Sequence, residues 1–416
     1  MRFFLGFLLL FGVQGIFAQS LTLKEAIAKT FANHPDIKTF MLRIQQAEQG
    51  YNAAYADYLP QIDLSAAYAP VQTFSLPVNG TFHTVDDRSW NVGVSLRQKV
   101  WDFKKTSSLV AASKIDEDIS KLSLKEVKSL LAYKVKTLYA LLVVQKEAVA
   151  VRRKDLETKK IFYEQSKALV RQGLKNHADA SRFLSSVYIA EDALAGAKAA
   201  YEKAKTSLSL YMGVPLPKRL SLQSGVVKKG AGIGKSVERE VVANNYKLRM
   251  NDRTVEKNRM LQRASEAAHF GSIDLVVSHS RVDTLNAYNT EYIGVSYNLP
   301  LYHGGRLNAQ EQQAKIGYQI AQEQRASEAL ALKEELRSLI IDIRRFEKTI
   351  KAKKAQLLSA RETQKVIKAR YKEGLATYIE VLDSTSVVLN AELGVLEAYY
   401  SQSLALDRIE YLKGKI

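Results

Sequence analysis

Apolar positions recur along this chain with two periods, and the pattern comes round again 201 residues later. Ile62, Leu64, Ala66 and Tyr68 alternate with Gln61, Asp63, Ser65 and Ala67. Val92, Val94, Leu96 and Val100 alternate with Asn91, Gly93, Ser95, Arg97 and Lys99. Such alternation sends the two sets to opposite faces of a strand. Ile293, Val295, Tyr297, Leu299 and Leu301 repeat it in the second half, and Ser272 to Val282 supplies a fourth strand less cleanly. Each strand is expected to have about 10 residues, the length a tilted strand needs to cross a bilayer. A loop is expected near Pro77 to Arg88, and Trp90, Trp101, Tyr292 and Tyr302 flank the runs as interfacial aromatics would.

Between the strand patterns the period lengthens to that of a helix. Leu21 to Tyr58 reads as a helix with Thr22 and Glu25 in capping-box spacing, an interruption at Asn33-His34-Pro35, and Pro60 as its close. Residues 104–172 and 305–373 give two proline-free stretches of 69 positions each. At ~1.5 Å per residue each is roughly 100 Å long. In the second, Leu336, Ile343, Ile350 and Leu357 form one heptad row and Leu339, Phe346 and Ile367 another, which specifies coiled-coil packing. Gly173 and Gly374 end the long helices, and shorter helices return through 178–212 and 379–413, with a further one over 236–268.

The repeat fixes the organisation. Gly93-Val94-Ser95 recurs as Gly294-Val295-Ser296, Lys114-Ile115 as Lys315-Ile316, Gly173-Leu174 as Gly374-Leu375, and Gly213 as Gly414. A gapless register of this length indicates duplication of one structural unit. The expected division is a secretory signal over 1–18, a first repeat over 19–213 with its strand pair near 61–101, a linker or equatorial segment over 214–235, and a second repeat over 236–416 with its strand pair near 272–302.

Composition then narrows the class. The chain has 416 residues, 25% charged and 46% hydrophobic, and no cysteine. That fits neither a disordered chain nor a helical membrane protein, and it excludes disulfides, thiolate metal sites and a lipidated cysteine. The formal net charge is +18, concentrated in 104–172, with 16 Lys and Arg against 8 Asp and Glu, and in 305–373, with 16 against 9. A solvated basic face and a field that draws in anionic solutes or an acidic partner both fit. No nucleic-acid-binding module accompanies the charge, so no nucleic-acid partner is expected. Gly230 to Ser236 resembles a phosphate loop but is one residue short between its outer glycines and follows no strand. The six histidines are scattered, without the spacing of a helical zinc pair, and no nucleophile–base pair stands out. Neither cofactor, metal nor catalysis is expected.

Four strands do not close a membrane barrel, for which eight is the usual minimum, and open edges in lipid leave backbone groups unsatisfied. Several chains must share one barrel; two would supply eight strands and three twelve.

The opening Leu21-Thr22-Leu23-Lys24-Glu25-Ala26, the Asn33-His34-Pro35 break, Leu59-Pro60, the cluster from Gly294-Val295-Ser296 through Pro300-Leu301 to Gly304-Gly305, and Tyr371 through Asp383 together resemble the TolC-type outer-membrane efflux proteins. The resemblance covers essentially the whole mature chain. It implies a mixed α-helical and β-barrel membrane protein: a homotrimer sharing a twelve-stranded transmembrane barrel in outer-membrane lipid, continued by a long α-helical coiled-coil periplasmic barrel. It further implies a passive exit duct for efflux or type I secretion, coupled through a periplasmic adaptor (membrane fusion) protein to an inner-membrane pump of RND, ABC or MFS type.

On that resemblance the tips Gly173, Leu174, Gly374 and Leu375 dock the adaptor, Tyr371 occupies an aromatic gate position, and Asp179, Glu380 and Asp383 line the entrance. Ala376 stands where well-studied members carry a gate arginine, so that closing contact must be absent or replaced. Independently, Glu380 and Asp383 share a helix face. Three copies around a narrow mouth would form an acidic ring that favours cations and raises the carboxylate pKa values by mutual repulsion; ordinary solvated helix-end carboxylates are the alternative. Arg152-Arg153 and Lys353-Lys354, equivalent in the repeat, would form a basic belt facing acidic adaptor surface or luminal anions, or else sit on a solvated helix face. Arg97 and Lys99 are expected to face the barrel lumen. A secreted coiled-coil scaffold or adhesin without a pore is the competing reading, and it leaves the duplicated amphipathic strand pairs unexplained.

Overall fold

The computed structural model describes residues 19–217, 220–222 and 236–415. The expected signal over 1–18 and most of the phosphate-loop-like segment lie outside them. Two compact units emerge, one comprising Lys38–Val127 and Arg239–Glu334, the other Met1–Ile37, Lys128–Glu238 and Glu335–Ile416.

The first unit holds a four-stranded sheet. Its strands are β2 (Gln61–Val78), β3 (Thr81–Trp101), β5 (Ser272–Asp283) and β6 (Ala287–Asn298), antiparallel in the order β2-β3-β5-β6. The register groups the apolar residues: Ile62, Leu96, Val277 and Ile293 stand in one cross-strand row. In the next row Leu64 and Val94 continue into His279 and Glu291. The apolar run thus slides along the strand axis from β2 to β6. A level apolar band across strands tilted to a membrane normal requires such a slide. Opposite-face residues include Asp63, Ser65, Ser95, Ser278 and Ser296.

Three expectations change here. The strands have 18, 21, 12 and 12 residues, so the first hairpin is far longer than the bilayer requires. The expected loop near Pro77 to Arg88 is strand almost throughout, closed by a two-residue turn at Asn79-Gly80 with φ of 51° and 82°. Asn-Gly is the pair that accepts two successive left-handed residues, and polar neighbours hid it. Tyr292 pairs with Ser278, which puts it on the polar face, where its ring packs over Gly294; it is not part of an outer aromatic girdle.

Helices α2 (Pro35–Ala56), α6 (Tyr246–Ala267), and the leading parts of α3 (Lys105–Arg171) and α7 (Arg306–Lys372) complete this unit. The helix expected over 236–268 is interrupted: α5 (Val237–Asn244) ends and α6 begins at Asn245, whose side chain accepts from Leu248 N at 3.1 Å. This cap does without proline what Asn33-His34-Pro35 does in the first repeat. The chain passes from β3 to α3 through Phe103 and Lys104, with φ of 56° and 75°, and from β6 towards α7 through Gly304 and Gly305, with φ of 62° and 79°.

The second unit is helical apart from a parallel pair of three-residue strands, β1 (Gln19–Leu21) with β4 (Leu220–Leu222). It contains α1 (Leu23–Asn33), α4 (His177–Met212), α8 (Tyr378–Leu412), and the trailing parts of α3 and α7. Thr22 and Glu25 form the expected capping box of α1. Val135, Tyr139, Leu142, Leu208 and Met212 pack with Leu21 and Leu220, and the Tyr139 hydroxyl donates to Leu21 O at 2.7 Å. The heptad row is buried at Leu336, Ile343 and Ile350. Among the described residues no helix is long and apolar enough to cross a membrane.

Candidate functional site

Two places combine exposed apolar surface with fixed polar chemistry: the sheet, and the turns where α3 meets α4 and α7 meets α8.

On the sheet, Arg97 is registered between Gln61 and Val276, and Lys99 opposite Asp274, both on the polar face. Lys99 Nζ donates to Thr106 Oγ1 at 3.1 Å, while Asp274 accepts from Ser272 Oγ at 2.9 Å. The other face leaves Leu64 75% and Ile293 79% exposed, an apolar area that a lone chain in water does not tolerate.

The helical turns close with the same hydrogen bonds. Gly173 N donates to Val170 O and Leu174 N to Leu169 O, both at 3.0 Å; Gly374 N donates to Tyr371 O at 3.1 Å and Leu375 N to Arg370 O at 2.8 Å. These are Schellman caps, with φ of 73° at Gly173 and 74° at Gly374. No atom lies within 4 Å of where a Cβ would stand at either glycine. Conformation alone therefore demands glycine here. Leu174 and Leu375, in the next positions, are 66% and 68% exposed, so each tip presents one bare leucine.

Beyond each glycine the next helix is capped by a side chain. Asn176 accepts from Ala178 N at 3.1 Å. Thr377 accepts from Glu380 N at 3.3 Å, and the Glu380 carboxylate accepts from Thr377 N at 2.7 Å and from its hydroxyl at 2.8 Å. These bonds, that from the Thr377 backbone foremost, hold the Glu380 carboxyl below its usual pKa. Within one chain this runs opposite to the upward shift expected for a ring of carboxylates. Asp383 is exposed and Asp179 half-buried.

Tyr371 is fully buried. Its ring packs edge-on against Phe183 at 5.7 Å and Phe162 at 6.3 Å, with Ala376 and Val381 in the same cluster. Burial pushes its hydroxyl pKa up, and nearby Asp179 adds to that. The aromatic at the expected gate position thus sits inside the protomer, because the paired tips bury what the sequence pattern left apparently free. Lys175, the repeat equivalent of Ala376, donates to Ala376 O at 3.4 Å and lies 5.7 Å above the Tyr371 ring. A cation from the first repeat therefore lies beside Ala376 and Tyr371 of the second.

Arg152, Arg153, Lys353 and Lys354 make no ion pair among the described residues. Lys353 donates to Gln356 Oε1 at 3.2 Å, and Lys354 lies 5.2 Å over the Tyr399 ring. Sequence reasoning missed a neighbouring lysine cluster. A cavity of about 270 Å³ is lined by Lys154, Arg361 and Lys368, with Glu392 and Thr385, and a second of about 360 Å³ by Lys365, Lys368 and Lys372. Glu392 is engaged by Arg361 at 2.6 Å and Lys154 at 3.9 Å. Burial, with Lys154 nearby, lowers the pKa of Lys368. The local lysine surplus at 365, 368 and 372 was the available signal.

A model of the outer membrane efflux protein family matches residues 26–214 and 238–415. The chain is 29% identical to outer membrane protein TolC of Escherichia coli K12 over 155 residues, which is 33% of this chain and 31% of that relative. The match thus spans about a third of that relative's length. Among solved structures, CusC superposes with a TM-score of 0.84 at 18% identity over 95% of this chain and 92% of its own. VceC of Vibrio cholerae, an outer membrane protein, superposes with a TM-score of 0.81 at 18% identity over 94% and 96%. At such identities these superpositions speak for the fold.

Proposed function

Because this chain belongs to the outer membrane efflux protein family, we propose that it is the outer-membrane exit duct of a tripartite efflux or type I secretion system, a homotrimer that passes substrates passively to the exterior. The observation that carries this is the sheet: four strands, one face exposing apolar side chains, and two edge strands, β2 and β6, whose outer edges pair with no strand among the described residues. In lipid each unpaired backbone group costs several kcal/mol. Since β6 runs opposite to β2, β6 of one copy pairs antiparallel with β2 of the next. Eight strands from two copies enclose an interior that side chains just fill; twelve from three leave a lumen. Arg97 and Lys99 line that lumen and favour anions there.

At the helical tips the exposed Leu174 and Leu375, beside Gly173 and Gly374, dock the adaptor protein, which links the duct to an inner-membrane pump of RND, ABC or MFS type. Asp179, Glu380 and Asp383 line the entrance. The support is positional: the Thr377 bonds fix the Glu380 carboxylate at the first turn of α8, directly after the tip. Tyr371 acts as the buried lock between the tips, and Lys175 replaces the arginine absent at Ala376. Arg152, Arg153, Lys353 and Lys354 form a basic belt that attracts acidic adaptor surface.

The test is mass in detergent followed by single-channel conductance in planar bilayers, wild type beside Glu380→Gln/Asp383→Asn. Three copies forming a cation-selective pore whose selectivity falls in the double variant is the expected result. A monomer, or a stable oligomer that never conducts even after Phe183→Ala loosens the tips and the first hairpin is cut back between Val71 and Arg88, counts against the duct.

A further inference from the structure

The first hairpin does not stop where the sheet stops. The β5–β6 hairpin ends at Asp283 and Ala287, level with Trp90 on β3 and Tyr68 on β2. Beyond that row β2 and β3 continue alone to Val78 and Thr81. At the exit lies a bulge on β2: Ala69 pairs with Ser89, but the next pair is Gln72 with Asp87, so Pro70 and Val71 share one partner position. The extra residue reverses the parity of β2 while β3 keeps its own.

The consequence can be read residue by residue. Below the bulge the apolar set, Ile62, Leu64, Ala66 and Tyr68, faces outward with Val92, Val94 and Leu96, and the inner face is Asp63, Ser65, Ala67 and Ala69. Above it the outward pairs are Thr73 with Asp86, hydrogen-bonded at 2.7 Å, Ser75 with Thr84, and, next to the turn, Pro77 with Phe82. The inward pairs are now Phe74 with Val85, Leu76 with His83 and Val78 with Thr81. The Ser89 hydroxyl bonds to Gln72 across the bulge, which fixes both on the inner side. Between Thr73 and Leu76 the apolar and polar faces have exchanged sides; Gln72 with Asp87 stays polar on the inner side, and Pro77 with Phe82 is apolar on the outer one. Val78 is 45%, Val85 39% and Leu76 37% exposed among the described residues.

We propose that this extension is a self-docking cap: in the trimer, the three hairpins lean together over the mouth of the barrel and bury Phe74, Leu76, Val78 and Val85 against their copies. This rests on the trimeric barrel proposed above. A two-stranded ribbon is marginal alone in water, so the extension needs a partner. Its inward face cannot reach lipid, and symmetry brings the same face of two further copies to the axis. The reach suffices. Twelve strands ~4.8 Å apart and tilted by ~40° give a barrel radius of roughly 12 Å, whereas Gln72 to Val78 spans roughly 20 Å. A bulge also bends and twists its strand, which is the local freedom such a lean requires.

The chain has no cysteine, so a single substitution introduces the only thiol. Leu76→Cys and Phe74→Cys are purified as detergent oligomers, their mass measured, then oxidised or treated with a short bismaleimide and run without reductant. The expected result is a covalent dimer band holding most of the protein for both variants, and at least tenfold less for Ser75→Cys on the outward face. A verified trimer in which Leu76→Cys and Phe74→Cys link no more than Ser75→Cys overturns the cap and leaves the barrel standing. A monomeric wild type overturns the barrel and the cap with it.

Discussion

The two repeats make the same left-handed corner between strand and helix from different residues. Gly304 and Gly305 adopt φ of 62° and 79°; Phe103 and Lys104, 201 positions earlier, adopt 56° and 75°. A residue with a Cβ is held there against roughly 1–2 kcal/mol of steric cost. In the first repeat the Phe103 ring meets Phe270 at 5.4 Å and Trp101 at 6.3 Å, and Thr106 N donates to Asp102 Oδ2 at 2.7 Å, so neighbours hold the corner in place. The second repeat needs no such help. The tips repeat the lesson: matching Schellman caps surround an interior to which the first repeat gives Phe162 and Phe183 and the second gives Tyr371 and Tyr378. Duplication kept the backbone path, and the side chains then specialised against one another.

The sharpest way to break that comparison is at Phe183 and its repeat equivalent Ser384. Phe183 is fully buried among aromatics, so Phe183→Ala removes packing worth about 3–5 kcal/mol. Ser384 donates only to Val381 O, at 3.0 Å within its own helix, and Ser384→Ala costs at most about 1 kcal/mol. Thermal unfolding of the detergent-solubilised oligomer measures both. Equal losses would mean that the tips are not specialised.

Next in size is the corner itself. Gly305→Lys meets no atom within 4 Å, so its expected cost of about 1–2 kcal/mol is purely conformational. Lys104→Gly relieves the same strain and is expected to be neutral or stabilising by up to about 1 kcal/mol. Phe103→Gly trades relief for lost ring contacts and falls below Lys104→Gly. If Lys104→Gly destabilises instead, the corner is not under strain.

How much of this the sequence disclosed depends on how local the cause was. The long helices, tip glycines and the Thr22 cap rest on residues a few positions apart, and each stands where expected. The asymmetric features escaped. Tyr371 read as an aromatic at a gate position, and its cover went unseen because Phe162 and Phe183 come from the other repeat, 209 and 188 residues away. Lys175 went unnoticed for the same reason. The length of the first hairpin was local and legible in Asn79-Gly80, but Thr73, Asp86 and Asp87 made the flanks resemble a loop. Alternation also broke at the bulge beside Pro70, where the outward set passes from even to odd positions.

The smallest effect concerns the two caps. Thr377→Ala and Asn176→Ala should each cost about 1 kcal/mol, but only the first also takes a bond from the Glu380 carboxylate, that of the Thr377 hydroxyl. Glu380 has a folded-state pKa below its usual value because Thr377 donates to its charged form. A depressed carboxylate contributes stability that is fully present above its unfolded pKa, about 4.3, and is lost as pH falls through the lower folded value. Wild type should therefore lose stability relative to Glu380→Gln on acidification below about pH 4.3, and Thr377→Ala, which keeps the backbone donor, should flatten the same slope in part. Asn176→Ala, whose partner Asp179 closes no capping box, should leave the slope unchanged while lowering stability at every pH. Unfolding measured at several pH values for the four proteins decides it: parallel curves for all of them would show that the Thr377–Glu380 bonds do not hold the second tip, and that the two caps are interchangeable.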